Sequence, residues 1–377
     1  MRLSFSFGNW ALVILDSMPH DQEQRLNDIR TQIDSIDRQL VRLLNERATL
    51  AQAIGNLKGL DGKPFFTPER ERQIFRQLDE DNDGPLRSDQ LAAIFREIIS
   101  AARAAEKNLD VAYWGPPGTF THLAAIQAFG TSTKFLPQES ISEVFLAVEH
   151  GTADYGVAPV ENSTAGIVPE TLDMFPQTNV KICAEIFLPI QHHLVSNAAS
   201  LAEIEQVYAG TQPSAQCRRW LRENLPHAEV VEVAPTALAA ERALANPRAA
   251  AIASLFAAEE VGIPVLARRI EDHSHNRTRF LVIGYNEPRK TGGDKTSLMF
   301  NLRNRPGELH KALGAFVAHE VNLMMIESRP AQRSSFEYIF YCDCQGHQSD
   351  ENVRKAIDSL KIGALEMTIL GSYPAAE

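Results

Sequence analysis

The sequence Asn276-Arg277-Thr278-Arg279-Phe280 opens the apolar run of residues 281–284. A polar entry followed by apolar residues is typical of a buried β-strand. A hydroxyl between two guanidinium groups at the start of a strand suits an anionic substrate that needs a proton donor. A solvated strand edge has the same composition, so the rest of the chain must decide between a site and an edge.

Length, composition and charge limit the classes of protein. The chain has 377 residues, of which 44% are hydrophobic and 23% charged. These values predict a soluble globular protein of two or three domains. A net charge of −11 argues against a nucleic acid or an anionic membrane as partner. The four cysteines show neither zinc spacing nor a disulfide framework, so we expect a cytoplasmic protein without a metal.

The first residues do not fit a folded domain. The apolar segment of residues 10–15 is short for a signal peptide and too short to cross a bilayer. We therefore expect residues 1–19 to be a disordered extension, with Met18 as the natural start.

Between Leu26 and Leu57 the apolar residues keep a strict 3–4 alternation. Such a sustained heptad predicts one long helix that needs a partner, most simply a second copy of the chain. Arg47 occupies a seam position where Leu or Ile is expected, and a guanidinium there is destabilising unless it meets an anion. Two further helices are predicted, and Glu106 falls on the apolar stripe of the last, where it can face Arg47.

These three helices resemble the helical chorismate mutase domain of bacterial bifunctional enzymes, over residues 20–108. The resemblance implies an all-α domain, with Arg47, Lys58 and Glu106 as catalytic residues and Glu106 hydrogen-bonded to the ether oxygen of the substrate. The substrate-binding residues that it implies are Arg30, Arg47, Lys58, Arg70 and Glu71. Arg30 and Arg47 are 17 residues apart, or about 25 Å along a helix, so we expect Arg30 to serve the partner's site.

The mutase resemblance has two departures, both at peripheral contacts. Thr67 stands where an Asp is common in the family, and Ala102 stands where a Ser is common. The reaction of this family is the pericyclic rearrangement of chorismate to prephenate. It needs cations that bind the two substrate carboxylates and a hydrogen-bond donor at the ether oxygen, but no nucleophile, metal or cofactor.

After Lys107, short apolar strands alternate with helices, which predicts an α/β domain. Small polar groups fill three strand-to-helix loops, at residues 115–122, 161–166 and 212–217. Open α/β sheets bind ligands in such loops, although each loop alone is also a plausible helix cap.

Together with residues 276–280, these loops resemble prephenate dehydratase over residues 109–287. The resemblance implies two α/β lobes like those of a periplasmic binding protein, with the second lobe at about residues 190–264. It implies Thr278 as catalytic proton donor and no metal or redox cofactor. The substrate-binding residues that it implies are Thr119, Asn162, Ser163, Gln216 and, for a carboxylate, Arg279. One departure is Gly210-Thr211, where relatives often carry His-Pro.

Residues 295–377 follow the order βαββαβ of a ferredoxin-like α+β domain. They resemble the ACT regulatory domain of the same family, which implies that phenylalanine binds across a domain dimer. The effector-binding residues that this implies are Gly307, Glu308, Leu309, Glu327, Ser328, Arg329 and Pro330. Glu308 replaces a residue that is usually small.

We therefore expect a multidomain bifunctional enzyme that converts chorismate to prephenate and prephenate to phenylpyruvate under phenylalanine inhibition. We expect a homodimer, and a tetramer is possible with the effector. Neither a cofactor, a nucleic acid nor a membrane is expected as partner. Two alternatives stay open. In the first, the mutase domain serves only dimerisation, and the sole activity is dehydration of prephenate or arogenate. In the second, the chain is a non-catalytic phenylalanine sensor.

Overall fold

The computed structural model describes residues 11–61, 64–234, 237–331 and 338–376. They form a helical unit, an α/β unit with two sheets and an α+β unit with one sheet. This confirms the predicted multidomain fold class. Within the described ranges, no helix is long and apolar enough to cross a membrane.

The N-terminal unit contains three helices: α1 (Ala11–Asp61), α2 (Pro68–Asp81) and α3 (Ser88–Glu106). Helix α1 packs on α3 near its C-terminal end, where Gly55 allows close approach. A Cβ added at Gly55 would lie 2.9 Å from Cβ of Glu106. The absence of a side chain at this position therefore brings Glu106 against α1.

Helix α1 begins earlier than predicted. Its first described residue, Ala11, lies within the segment 1–19 that we expected to be disordered. A nucleated helix extends at small cost per residue, which explains why the heptad helix continues upstream. Residues 1–10 of the expected extension lie outside the described residues.

A six-stranded sheet forms the first lobe of the α/β unit. The chain enters it through five strands and three helices: β1 (Asp110–Trp114), α4 (Phe120–Phe129), β2 (Lys134–Gln138), α5 (Ile141–Glu149), β3 (Tyr155–Asn162), β4 (Gly166–Ile167), α6 (Pro169–Met174) and β5 (Lys181–Pro189). The strands β1, β2 and β3 pair in parallel, so their carboxyl ends open into loops at one edge.

A five-stranded sheet forms the second lobe. Its elements are β6 (His193–Ser196), β7 (Gln206–Ala209), α7 (Thr211–Gln216), α8 (Arg218–Asn224), β8 (Glu229–Glu232), α9 (Ala237–Ala245), β9 (Ala249–Ala253), α10 (Leu255–Val261) and β10 (Val265–Ala267). The chain then returns to the first lobe as β11 (Arg277–Gly284), between β3 and β5. The second lobe is thus an insertion between β5 and β11.

The C-terminal unit has a four-stranded antiparallel sheet in the order β13-β14-β12-β15. Its elements are β12 (Asp294–Asn301), α11 (Glu308–Ala318), β13 (Leu323–Pro330), β14 (Tyr338–Gln345), α12 (Glu351–Gly363) and β15 (Glu366–Pro374). This is the predicted ferredoxin-like arrangement, with both helices on one face.

Two apolar cores cover opposite faces of the six-stranded sheet, and β11 contributes to both. Phe280 and Val282 pack with Phe66, which precedes α2. Leu281 and Ile283 pack on the other face, in a core that includes Tyr373 of the C-terminal unit. Residues of β11 therefore alternate between the side of the helical unit and the side of the C-terminal unit.

Candidate active sites

The amide of Asn162, at the end of β3, is fixed by hydrogen bonds at both its oxygen and its nitrogen. Its Oδ1 accepts from the backbone N–H groups of Thr164 and Ala165, at 3.0 and 2.8 Å. Its Nδ2 consequently faces β11, where it donates to Thr278 Oγ1 at 2.8 Å and to Asn276 Oδ1 at 2.9 Å. Asn162, Asn276 and Thr278 are all buried. The turn after β3 thus aims an amide donor at the Thr278 hydroxyl.

The orientation of Asn162 propagates into the second lobe. Because Asn276 Oδ1 is an acceptor, Asn276 Nδ2 faces Gln216 and donates to Gln216 Oε1 at 3.1 Å. That same oxygen lies 2.8 Å from His192 Nε2. Burial lowers the pKa of His192, so the ring is neutral and carries its proton on Nε2. A chain of hydrogen bonds thus links His192, between the lobes, to Thr278.

His192 was not among the predicted site residues. Its partner Gln216 is 24 residues away in the chain. No local sequence pattern indicates such a contact. Its position between β5 and β6, where the chain crosses from one lobe to the other, is visible only in the structure.

Ser163 and Thr119 lie at the loop ends of the same sheet. Ser163 is exposed, and its Oγ accepts from the backbone N–H of Arg277 at 2.9 Å, which ties the β3 turn to the start of β11. Thr119 caps α4, since its Oγ1 accepts from the backbone N–H of His122 at 3.3 Å. It follows Gly118, which has a φ of 83°. Their predicted contacts with substrate stay predictions.

The Thr278 hydroxyl can act as a donor. Its oxygen accepts from Asn162, and no protein acceptor for its own proton is found among the described side chains and backbone. An accepted hydrogen bond from an amide also stabilises negative charge on the oxygen when the proton leaves. The geometry therefore suits proton donation to a leaving group in the cleft.

Arg279 does not lie beside Thr278, and its predicted contact with a substrate carboxylate stays a prediction. Neighbouring residues of a strand point to opposite faces of the sheet, so Arg279 points away from Thr278. Its guanidinium is buried against Glu185 and against Asp343 and Tyr373 of the C-terminal unit. It is therefore occupied by protein groups.

A second cluster joins α1 and α3 of the helical unit. Lys58 Nζ lies 3.7 Å from Glu106 Oε2, and the Glu106 side chain is 12% exposed. Burial raises the pKa of Glu106, although the charges of Lys58, Arg103 and Arg47 oppose this shift. The structure thus brings the Lys58 cation together with a carboxyl whose pKa is raised by burial.

Glu71 and Arg70 point in different directions from α2. Glu71 pairs with Arg103, whose Nη1 also donates to the carbonyl oxygen of Phe129 in the first lobe, at 3.3 Å. Burial raises the pKa of Glu71, and Arg103 opposes the shift. Arg70 is exposed and donates to Gln73 at 2.6 Å. These positions do not test the predicted substrate contacts of Glu71 and Arg70. The pairing of Glu71 with Arg103 was not predicted from the sequence.

The predicted effector residues lie near the same end of the C-terminal sheet, because Asn301, which precedes the Gly307 loop, and Arg329 both lie opposite Ile339. Gly307 has a φ of 85° and is followed by Glu308, which pairs with Lys311 at 3.1 Å. Arg329 forms two hydrogen bonds with the Asp173 carboxylate of α6, at 3.1 and 2.9 Å. Residues 327–330 at the end of β13 are therefore linked directly to the first lobe.

Three regions of the chain match known families. Residues 29–107 match chorismate mutase type II, residues 111–288 match prephenate dehydratase and residues 296–361 match the ACT domain. These regions coincide with the helical, α/β and α+β units. They define a multidomain enzyme that joins a mutase, a dehydratase and a regulatory domain.

A bifunctional chorismate mutase/prephenate dehydratase of Aquifex aeolicus is 46% identical over 357 residues, with 94% of this chain and 99% of the relative covered. The chain belongs to the family of bifunctional chorismate mutase/prephenate dehydratases. A prephenate dehydratase of Arthrobacter aurescens, solved with L-Phe, has 33% identity and a TM-score of 0.66, and covers 71% of this chain and 90% of its own.

A second similar structure shows that a match over part of the chain does not by itself identify the activity. It is described as a novel type of quorum quenching acylase and has 31% identity and a TM-score of 0.65. It covers 71% of this chain and 98% of its own. A match over 71% of this chain is thus found for proteins described by two different activities. The Aquifex relative, in contrast, matches 94% of this chain.

Thr278→Val should lower dehydratase kcat by about 10²- to 10⁴-fold, because valine keeps the shape but removes the donor. Thr278→Ser is the matched control, since it retains the hydroxyl that Asn162 holds. Phenylpyruvate formation from prephenate measures both variants, and mutase activity in the same chain reports the fold. A Val variant as active as the Ser variant would refute the donor role.

Proposed function

We propose that the chain rearranges chorismate to prephenate at the Lys58–Glu106 cluster and converts prephenate to phenylpyruvate at Thr278. The observation that carries the dehydratase half is the 2.8 Å hydrogen bond from Asn162 to Thr278, which leaves the hydroxyl proton free to donate. The family assignment supports both activities.

The dehydratase step needs one proton and no redox change. The bond between the prephenate ring and its carboxylate breaks, and its electron pair enters the ring as CO2 leaves. The ring carbon–hydroxyl bond breaks at the same time, and Thr278 delivers a proton to the leaving oxygen, which departs as water. Asn162 stabilises the threonine oxygen until solvent returns the proton.

On the Thr278 face of β11, neutral donors are available for the substrate carboxylates. The Gln216 oxygen is occupied by Asn276 and His192, so its Nε2 amino group is left to donate toward the cleft. Backbone N–H groups at the start of α4 add donors at a helix N-terminus. We assign substrate binding to Gln216, Ser163, Asn162 and the Thr119 loop.

The mutase step depends on positioning and on charge at the ether oxygen. The bond from the ring to this oxygen breaks, and the oxygen stays on the side chain as a ketone oxygen. A new carbon–carbon bond joins the side chain to the ring, and no proton is gained or lost overall. Lys58 and a protonated Glu106 donate hydrogen bonds to the oxygen as negative charge develops. Bound substrate dianion raises the pKa of the Glu106 carboxyl further, since like charges disfavour ionisation.

Phenylalanine is the effector that we propose for the ACT domain. The Arthrobacter relative was solved with L-Phe, and the loop at Gly307 and the strand 327–330 carry the family pattern. Arg329 already binds Asp173 in α6, the helix that follows the Asn162 turn. An effector carboxylate that competes for Arg329 would therefore release a contact of the dehydratase domain.

One coupled assay tests the proposed function. With chorismate as substrate, we expect prephenate and then phenylpyruvate, and phenylalanine should lower the second product. Chorismate consumption without phenylpyruvate would refute the bifunctional proposal. Turnover of prephenate but not chorismate would favour a mutase domain used only for dimerisation, and phenylalanine binding without any turnover would favour a sensor.

The mutase rate should fall as pH rises through the raised pKa of Glu106, because only the protonated carboxyl donates. Glu106→Gln keeps a donor that does not titrate, so its rate should stay flat over the same pH range. The dehydratase pH profile of that variant is the control and should match the wild type. A wild-type mutase rate independent of pH would contradict the donor role of Glu106.

The apolar seam of α1 supports a homodimer. Nine seam residues from Leu26 to Leu57 are each 49–65% exposed in the single chain. A stripe of this length is typical of a helix that pairs with another helix. Arg30 also lies about 25 Å along α1 from Arg47, which leaves it for the second copy's site.

Mixing Arg30→Ala chains with Lys58→Ala chains should restore mutase activity. Each parent dimer lacks one residue in both sites, whereas a mixed dimer has one site with both residues and one with neither. Random exchange therefore restores about a quarter of the sites. The two variants are refolded together, and chorismate consumption by this mixture is compared with that of each variant refolded alone. No recovery, in a sample shown to contain mixed dimers, would rule out the shared site.

We place the enzyme in the cytoplasm. The four cysteines are all free and buried, which agrees with a reducing compartment. A tetramer in the presence of phenylalanine is part of the proposal and is measurable by sedimentation with and without the effector.

A further inference from the structure

Arg279 sits at the junction between the dehydratase and ACT domains. Its Nε donates to Glu185 Oε2 at 2.7 Å, within the first lobe. Its Nη1 lies 2.6 Å from Asp343 Oδ2, and its Nη2 donates to Tyr373 Oη at 2.9 Å. Asp343 belongs to β14 and Tyr373 to β15, so the ACT domain supplies two of its three partners.

The groups around Arg279 form a closed network. Lys295 Nζ lies 2.8 Å from the same Glu185 oxygen. Ser297 Oγ donates to Asp343 Oδ1 at 2.5 Å and lies 2.7 Å from Tyr373 Oη. Two cations and two carboxylates balance, and every member of the network is at most 6% exposed. Such a desolvated network tolerates little displacement of any one member.

The network acts on the residue next to Thr278. Opposite this part of β11, strand β3 carries an irregularity: Arg279 pairs with Glu161 and Phe280 with Pro159, so Val160 of β3 is the extra residue. Such a bulge re-aims the side chains next to it, and here it lies two residues before Asn162, which holds the Thr278 hydroxyl. The guanidinium is held from the ACT side, and the hydroxyl one residue earlier is held by Asn162 on the cleft side. The strand therefore has an anchor on each face at this point.

We propose that Arg279 is a positioning residue through which Asp343 and Tyr373 of the ACT domain set the place of the Thr278 hydroxyl in the dehydratase site. This rests on the proposed role of Thr278 as proton donor. The ACT strands fix the guanidinium, the guanidinium fixes the backbone of β11, and the backbone fixes the hydroxyl. A shift of β14 or β15 therefore displaces the Thr278 hydroxyl in the cleft.

Tyr373→Phe removes one hydroxyl from the network and keeps the ring. We expect kcat for prephenate to fall about tenfold with KM nearly unchanged, since a small misplacement of a reacting group lowers the rate of the chemical step. Phenylalanine inhibition should weaken as well, because one of the links from ACT domain to cleft is lost. Mutase activity should stay within about twofold, as it reports the folded chain.

Tyr341→Phe is the matched control. Tyr341 is also a buried tyrosine of β14, and its hydroxyl donates to the Leu172 carbonyl oxygen at 2.9 Å, across the same domain junction. Its hydroxyl is thus bonded to the backbone of α6 and not to the guanidinium of Arg279. Equal loss of kcat in both variants would show general loosening of the junction and would overturn the positioning role.

Arg279→Lys and Arg279→Met complete the test. Lysine keeps one charge contact and should recover part of the kcat that methionine loses, whereas a purely structural role would change thermal stability without this order in kcat. Unchanged kcat and inhibition in Tyr373→Phe would also refute the inference. If Thr278→Val retains activity, the proposed function itself has failed, and the two failures are thereby distinguished.

Discussion

Alternation along one β-strand is the constraint on which the α/β unit depends. Because neighbouring side chains of β11 point to opposite faces, Thr278 and Phe280 face the cleft side while Arg279 and Leu281 face the ACT domain. Asn162 and Asp343 hold the two faces from different domains. The site is therefore built where an internal strand is constrained from both sides, rather than on a flexible loop.

Both sites bind anions in a chain with a net charge of −11. Positive charge is accordingly local: Lys58 lies at the α1–α3 contact, while we propose amides, hydroxyls and the N-terminus of α4 as the donors of the dehydratase cleft. Neutral donors avoid the desolvation cost of unpaired buried cations. The buried guanidinium of Arg279, on the other face of β11, is neutralised by the carboxylates of Glu185 and Asp343.

Motif order and hydrophobic periodicity predicted the three units, and the roles of the site residues stay predictions. The heptad predicted α1, and spacing placed Glu106 where it can face Arg47, whereas Lys58 entered the site only through the family resemblance. The motif groups Thr278 with Arg279, whereas the strand places their side chains on opposite faces, so the protein partners of Arg279 could not be predicted from the motif. His192 and Arg103 were missed because their partners are distant in the chain, and nothing local marks tertiary hydrogen bonds.

The adjacency of Thr278 and Arg279 has an evolutionary consequence. A one-residue slip of β11 would exchange their faces, placing a guanidinium in the cleft and a hydroxyl among buried charges. Insertions or deletions in the loop before Arg277 that shift the strand would thus damage two domains at once. Selection can adjust the second lobe, which is an insertion between β5 and β11, far more freely than it can adjust the length of chain that returns from it.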